Sequence, residues 1–336
     1  MNVDLALNAM SGAVDAVGSD LGISSGATLD TLIRAQVDTD VLDPEAENAR
    51  VDPASLARLY ELRARHLDWI YETGYLGFFA GNPGMRYSFR RRLEEQMDLM
   101  PREGEGSFLE VGCGAGILSL LAAPRFDHVV GTDVSDTALA FARRLAARSR
   151  AGNVRFATAD VEALPFRKEA FACVACGEVI GHVADPAMAA REMARVLKPG
   201  GSLVLSTPCA LSPTLWALRV ASFLRPGIQF HKERQVDRRV AGLLRQRGEH
   251  VDARDLIRVK RHYGFREILA LMRSAGFAFR EARGAALDLP PAPVIYRRIP
   301  ESLLGGVRAI ERLLNFLGAL PRAFAISTIF RFERCA

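Results

Sequence analysis

The sequence contains no run of about 18 uncharged apolar residues, so nothing in it reads as a membrane-spanning helix. Its opening stretch, MNVDLALNAMSGAVDAVGSD, carries Asp4, Asp15 and Asp20 and no lysine or arginine, which argues against a secretory leader. Cysteine is sparse and scattered, at 113, 173, 176, 209 and 335, so a disulfide framework is not expected and free thiols in a reducing compartment are. Cys173 and Cys176 form a C-x-x-C inside the apolar run FACVAC, with no second Cys pair or His pair, which favours two core thiols over a zinc or redox site. No internal repeat is present, and aromatics are not interleaved with the basic residues, so no RNA-binding pattern and no nucleic-acid partner are expected. What remains is an ordinary globular composition, 49% hydrophobic and 25% charged, in 336 residues, enough for one enlarged domain or two.

Charge is unevenly spread. Residues 1–50 hold nine acids against two arginines and few aromatics, which predicts an acidic, flexible extension. Residues 211–283 hold sixteen lysines and arginines against seven acids. That basic stretch is either a solvated face or a surface for an anionic substrate or membrane.

The densest signal is FLEVGCGAGILSLLAA, residues 108–123. An apolar run ends in Gly112, Gly114 and Gly116, and helix-forming residues follow. This is the strand, tight turn and helix by which a parallel sheet meets a nucleotide-like ligand. The spacing is G-x-G-x-G, and Ile117 stands where a dinucleotide fingerprint has its third glycine. Glu110, just before the loop, would repel a pyrophosphate and suits a ligand with a positive amino group. S-adenosylmethionine (SAM) has an adenosine, an amino group and a sulfonium, and no phosphate. The loop therefore fits SAM better than NAD.

Around the loop, strands and helices alternate over 107–206. SFLEV, HVVGTD, VRFATAD, FACVAC and SLVLSTP read as strands. SDTALAFARRLAARSR and DPAMAAREMARVL read as helices, with Ser135 and Asp185 as N-caps, Pro186 at a first helical position, and KPGG as a turn. The rhythm implies a doubly wound, mainly parallel α/β sheet. Before it, 51–104 predicts a helical cap in two pieces, with Leu56, Leu59, Leu62, Leu67 and Ile70 at near-helical intervals in the first. After it, 207–262 lacks strand signals and reads as an insertion or lid within a 105–336 domain. A helix from Gly264, a stop at Gly276, a sixth strand, a further helix over IPESLLGGVRAIERLLNFLGAL and a final strand AFAISTIFRFER complete the chain.

Two further acids end strands. Asp133 can accept hydrogen bonds from both ribose hydroxyls, with helix capping as the alternative role. Asp160 suits the exocyclic amine of adenine, with Val161 flanking the ring, or is a turn aspartate.

The segments LEVGCGAG, GTDVS, ATADVEALPF, CGEVIGHVADP and LKPGGSLVLSTP, in this order, resemble the class I SAM-dependent methyltransferases over roughly 107–206. The phrasing is most similar to the O-methyltransferases of ubiquinone biosynthesis and their relatives. The resemblance implies a Rossmann-like, seven-stranded sheet with the last strand antiparallel. It implies SAM as cofactor and S-adenosylhomocysteine as product. It puts Glu110, Gly112 and Gly114 at the methionine end, Asp133 at the ribose and Asp160 at the adenine; Cys113, Gly116, Val134, Val161 and Glu178 complete the expected cofactor set. It also implies that the insertion faces membrane or lipid substrates. In LSPTLWALRVASFLRPGIQF, Leu215, Trp216, Val220, Phe223 and Leu224 share a broad face with Arg219 and Arg225 beside it. That segment, 211–230, is either an interfacial helix on a cytoplasmic protein touching the inner membrane face or a lid packed on the domain. In one respect the chain departs from the family: where an E-x-x-E-H run is thought to hold a divalent metal, this chain has Glu178, Gly181 and His182. Two hard ligands rarely hold magnesium, so no metal is expected.

The expected reaction is SAM-dependent methyl transfer to a small, hydrophobic acceptor, most simply at a hydroxyl, in secondary-metabolite, quinone or lipid biosynthesis. N- or C-methylation of a polar metabolite, or SAM binding without turnover, are the alternatives. His182 follows strand four at the carboxyl end of the sheet, and an imidazole pKa of about 6.5 suits a general base. Holding its loop by hydrogen bonds is the alternative role. Trp216, His231, His262 and Tyr263 are the expected substrate-side residues, and Arg258, Lys260 and Arg261 can hold an anionic group.

Overall fold

The computed structural model describes residues 53–66, 83–101, 104–213, 261–288, 303–318 and 323–335, with Trp216 and short pieces between 234 and 259. The extension 1–50, His231 and most of 211–230 lie outside the described residues. The elements are α1 (Pro53–His66), α2 (Pro83–Leu99), β1 (Gly104–Val111), α3 (Ile117–Ala122), β2 (Phe126–Asp133), α4 (Asp136–Arg148), β3 (Val154–Thr158) and β4 (Phe171–Gly177). They continue as α5 (Pro186–Val196), β5 (Leu197–Pro208), β6 (Arg234–Val236), β7 (Ile257–Val259), α6 (Phe265–Ser274), β8 (Phe277–Leu287), α7 (Leu304–Phe316) and β9 (Ala325–Arg334).

Seven strands form one sheet in the order β3-β2-β1-β4-β5-β9-β8. β1, β2, β3, β4 and β5 pair in parallel, and β9 runs antiparallel to both β5 and β8. Its central strand, β4, is apolar at every position because both of its faces are covered. Cys173 and Ala175 join one core with Phe89, Leu93 and Met97 of α2 and with residues of α3 and α4. Val174 and Cys176 join the other, with Met193 of α5 and Ile268 and Met272 of α6. The two thiols of the C-x-x-C thus point to opposite faces of the sheet, and burial pushes each up to about 12, so they form neither a metal clamp nor a reactive pair.

Local signals account for the helix starts. Ser135 Oγ accepts from Ala138 N–H at 3.1 Å, and Asp185 accepts from Ala187 and Met188 N–H at 2.9 and 3.0 Å, with Pro186 following. KPGG, expected as a free turn, lies within β5; the turn survives as a register break between the pairs Phe171–Leu197 and Cys173–Ser202. The insertion was expected to lack strands, yet β6 and β7 pair antiparallel as a separate two-stranded ladder. Each is three residues long, RQV and IRV, too short to show alternation. Ala241 and Leu244 of the insertion pack on Leu59 and Leu62 of α1.

The far edge is held by α7. Glu311, fully buried, accepts from Tyr87 Oη at 3.0 Å, from Arg91 Nε at 2.9 Å and from Leu287 N–H at 2.8 Å. A buried carboxylate is stable only when paired in this way. Among the described residues, no helix is long and apolar enough to cross a membrane.

Candidate active site

The carboxyl ends of β1, β2 and β4 converge on the glycine loop. Gly112, Gly114 and Gly116 have φ of 66°, 49° and 74°, which glycine adopts at no steric cost. A side chain at Gly116 would also meet the Phe156 ring at 2.6 Å, and one at Gly112 would strike Val179. Glycine is therefore required at positions 112 and 116 both by the backbone angle and by the close packing of Val179 and Phe156 against the loop. Cys113 is buried, and its N–H donates to the Thr132 carbonyl at 2.8 Å.

Asp133, at the end of β2, holds the loop. Its Oδ2 accepts from Gly114 N–H at 2.9 Å and its Oδ1 from Ser135 N–H at 3.0 Å. Burial raises its pKa, opposed by the N–H groups of Gly114, Ser135 and Val134. Glu110 turns beneath the loop and accepts from Ser119 N–H and Oγ at 2.8 and 2.5 Å. Burial pushes its carboxyl up to about 8 despite those bonds. Asp160 Oδ1 accepts from Glu162 N–H at 2.9 Å, an Asx turn, while Val161 is buried in the second core.

Several contacts at this site were not anticipated. Glu61 of α1 accepts from Ser135 Oγ at 2.8 Å and from Thr137 Oγ1 at 2.9 Å, docking α1 on the start of α4 beside Asp133. Glu162 accepts from Ala184 and Asp185 N–H at 2.6 and 3.1 Å, tying the Asp160 loop to the His182 loop. Arg261 donates to the carbonyls of Val183 and Ala184 at 2.9 and 3.1 Å, and its own N–H to Gly181 O at 2.8 Å. Sequence spacing carries no trace of these bonds, because each joins residues more than 20 positions apart.

His182 is half-buried, with its N–H on the Val179 carbonyl at 2.7 Å and its ring edge-on to Tyr60 at 6.2 Å between centroids. Arg261 brings His262 and Tyr263 to this loop, and Tyr263 packs on the second core. Trp216 is 64% exposed and stands apart from the core clusters. Glu178, at φ 62°, directs its carboxylate toward Arg92 of α2 at 3.6 Å. Of the expected metal-holding run only Glu178 and His182 are present, and a side chain at Gly181 would sit 2.6 Å from the Arg261 carbonyl, so this backbone has no room for a second acid at that position. Among the described residues, no three His, Cys, Asp or Glu side chains converge to hold an ion.

Comparison with known proteins agrees with this geometry. Residues 109–205 match the family model described as a methyltransferase domain. The chain is 34% identical over 163 residues to a ubiquinone biosynthesis O-methyltransferase of Paracidovorax citrulli, covering 48% of this chain and 64% of the relative. It is 34% identical over 165 residues to the protein of the same name from Albidiferax ferrireducens, covering 49% and 62%. The match thus spans less than two thirds of these relatives' length. Among solved structures, the [4+2]-cyclase SpnF superposes with a TM-score of 0.53 at 19% identity, covering 85% of this chain and 98% of that one. A SAM-dependent methyltransferase of Thermotoga maritima, described as a possible histamine N-methyltransferase, superposes with a TM-score of 0.50 at 18% identity, covering 82% and 99%. Over residues 109–205 the chain is thus similar to the methyltransferase domain family, and its sheet order and flanking helices give it the fold of the class I SAM-dependent methyltransferases.

Proposed function

We propose that the chain transfers a methyl group from SAM to a small, hydrophobic acceptor at oxygen. The observation that carries this reading is the bare glycine loop tied by Asp133 at the carboxyl end of the sheet. The residues present fit the cofactor. Gly112, Cys113, Gly114 and Gly116 offer an uncluttered backbone, Asp133 a carboxylate for the ribose, and Asp160 and Val161 the adenine side. Glu110 lies beneath the methionine end. Bound there, SAM supplies an electrophilic methyl on its sulfonium. The names of the curated relatives support oxygen as the acceptor atom.

The chain's own work is to align the acceptor, exclude water and take a proton. Tyr60 and Glu61 of α1 lie over the mouth of the site, so α1 serves to exclude water. His182 is the base for the hydroxyl proton; its half-buried position beside Tyr60 supports that role. The exposed Trp216 supports peripheral contact of 211–230 with a membrane surface, whereas the packing of Ala241 and Leu244 on α1 favours a lid farther along the insertion.

The test is incubation with methyl-labelled SAM and an extract of the source cells, followed by separation of organic from aqueous products. Label in the organic phase supports a hydrophobic acceptor. Aqueous label keeps methyl transfer and rejects the hydrophobic acceptor. Bound SAM with no transfer rejects the enzyme reading in favour of a SAM-binding partner protein.

A further inference from the structure

Helix α2 carries Arg92 and Gln96 one turn apart, so both side chains leave the same face. Gln96 is 1% exposed, and its Nε2 has no hydrogen-bond partner among the described residues. Whichever way the amide is turned, its buried end needs a partner. Ser206, near the end of β5, is fully buried, and its Oγ is likewise unpartnered among the described residues.

These two atoms meet at one place. A methyl group built on Gly177 would lie 3.1 Å from Gln96 Nε2 and 3.9 Å from Ser206 Oγ. Gly177 pairs with Ser206 in the β4–β5 register, on the face that α2 covers. Next to them Glu178 donates its N–H to the Ser206 carbonyl at 3.0 Å, and its carboxylate faces Arg92. Arg92 Nε and Glu178 Oε1 also have no hydrogen-bond partner among the described residues. Buried polar groups in folded proteins are paired almost without exception, so two unpartnered atoms over one bare glycine, beside the Arg92–Glu178 ion pair, mark a place built for a polar ligand atom.

The sheet order says which ligand. Across the carboxyl ends, Asp133 lies on β2, the glycine loop follows β1, Gly177 ends β4 and Ser206 lies on β5. At about 4.8 Å per strand, Ser206 is roughly 10 Å from the glycine loop and farther from Asp133. It stands on the side of β4 away from the ribose. Resting on the function proposed above, we infer that Gln96 and Ser206, over Gly177 and beside the Arg92–Glu178 pair, form the subsite that grips an oxygen of the methyl acceptor. A carbonyl, hydroxyl or phenolate oxygen accepts from the Gln96 amide and the Ser206 hydroxyl. An acceptor without that oxygen leaves both buried groups unpaired and is rejected on that account.

The experiment is calorimetric titration of the full chain, loaded with S-adenosylhomocysteine, with 4-propylphenol and with propylbenzene. Wild type is expected to prefer the phenol by about tenfold or more. Gln96→Met and Ser206→Ala should each bring that preference close to one, with S-adenosylhomocysteine affinity held within about twofold. Gly177→Ala, which fills the floor of the subsite, should do the same without removing either polar group. With an acceptor that turns over, the variants should raise KM more than they lower kcat. Absence of a preference in wild type overturns the inference, as does a preference that survives all three substitutions. A drop of about tenfold in S-adenosylhomocysteine affinity also overturns it, by assigning these residues to the cofactor. The methyltransferase reading fails separately: S-adenosylhomocysteine that does not bind, or SAM that is bound and not turned over, rejects that reading, while the titration, run on the unloaded chain if necessary, still decides the subsite.

Discussion

Glu110 is a carboxyl group held where a carboxylate is poorly tolerated, and replacing it with glutamine isolates that cost. The glutamine keeps the shape, and its carbonyl oxygen can accept from Ser119 N–H and Oγ as the carboxylate does. Burial raises the Glu110 pKa from 4.5 to about 8, so in the folded chain it holds its proton across a window in which the unfolded chain has lost it. The native state then binds more protons than the unfolded state, and stability falls as pH rises through that window. At about 1.36 kcal/mol per pKa unit, the full loss reaches at most about 5 kcal/mol above pH 8, of which about 3 kcal/mol is reached by pH 7. Urea unfolding of wild type and Glu110→Gln from pH 4.5 to 9 gives the difference curve, in which the other raised carboxyls, Asp133, Glu95 and Glu162, cancel to first order. The difference should be near zero at pH 4.5 and favour glutamine by several kcal/mol at pH 8 to 9. Saturating SAM should shrink it, because a cation beside Glu110 favours the ionised form. Curves that run parallel within about 0.5 kcal/mol from pH 5 to 8 would refute the reasoning.

Asp133→Ala removes the acceptor for Gly114 and Ser135 N–H as well as the ribose contact, and S-adenosylhomocysteine affinity should fall about 100-fold by calorimetry; unchanged affinity would remove the ribose role. His182→Ala should lower kcat at least about tenfold with S-adenosylhomocysteine affinity within about twofold, and full turnover would leave the histidine only a structural part. Gly181→Ala puts a methyl 2.6 Å from the Arg261 carbonyl. It should cost about 1–3 kcal/mol in urea unfolding, and a wild-type midpoint would mean the 261–263 segment moves freely away.

The sheet was legible because its signals are local. Alternating glycines, Ser135 and Asp185 at helix starts, and uninterrupted apolar runs such as FACVACG each carry their structure within a few residues. Glu110 just before the loop and Asp133 at the end of β2 were legible for the same reason. What escaped is what the fold brings together from afar. Glu61 lies 74 residues from Ser135, and Arg261 lies 78 from Val183, so no spacing pattern announces either bond. Gln96 sits in a helix with a mixed face, RRRLEEQMDL, where a buried amide looks like any exposed one. β6 and β7 escaped because three residues cannot display a period.

The place of β9 constrains how the chain is made. It lies between β5 and β8 in the sheet although the ribosome delivers it after both. Until residue 334 has left the exit tunnel, β5 presents an unpaired edge and β8 has no neighbour in the sheet at all. The strands β1 to β5, which carry the glycine loop, are delivered first and stand with an unpaired flank until β9 slots in beside β5.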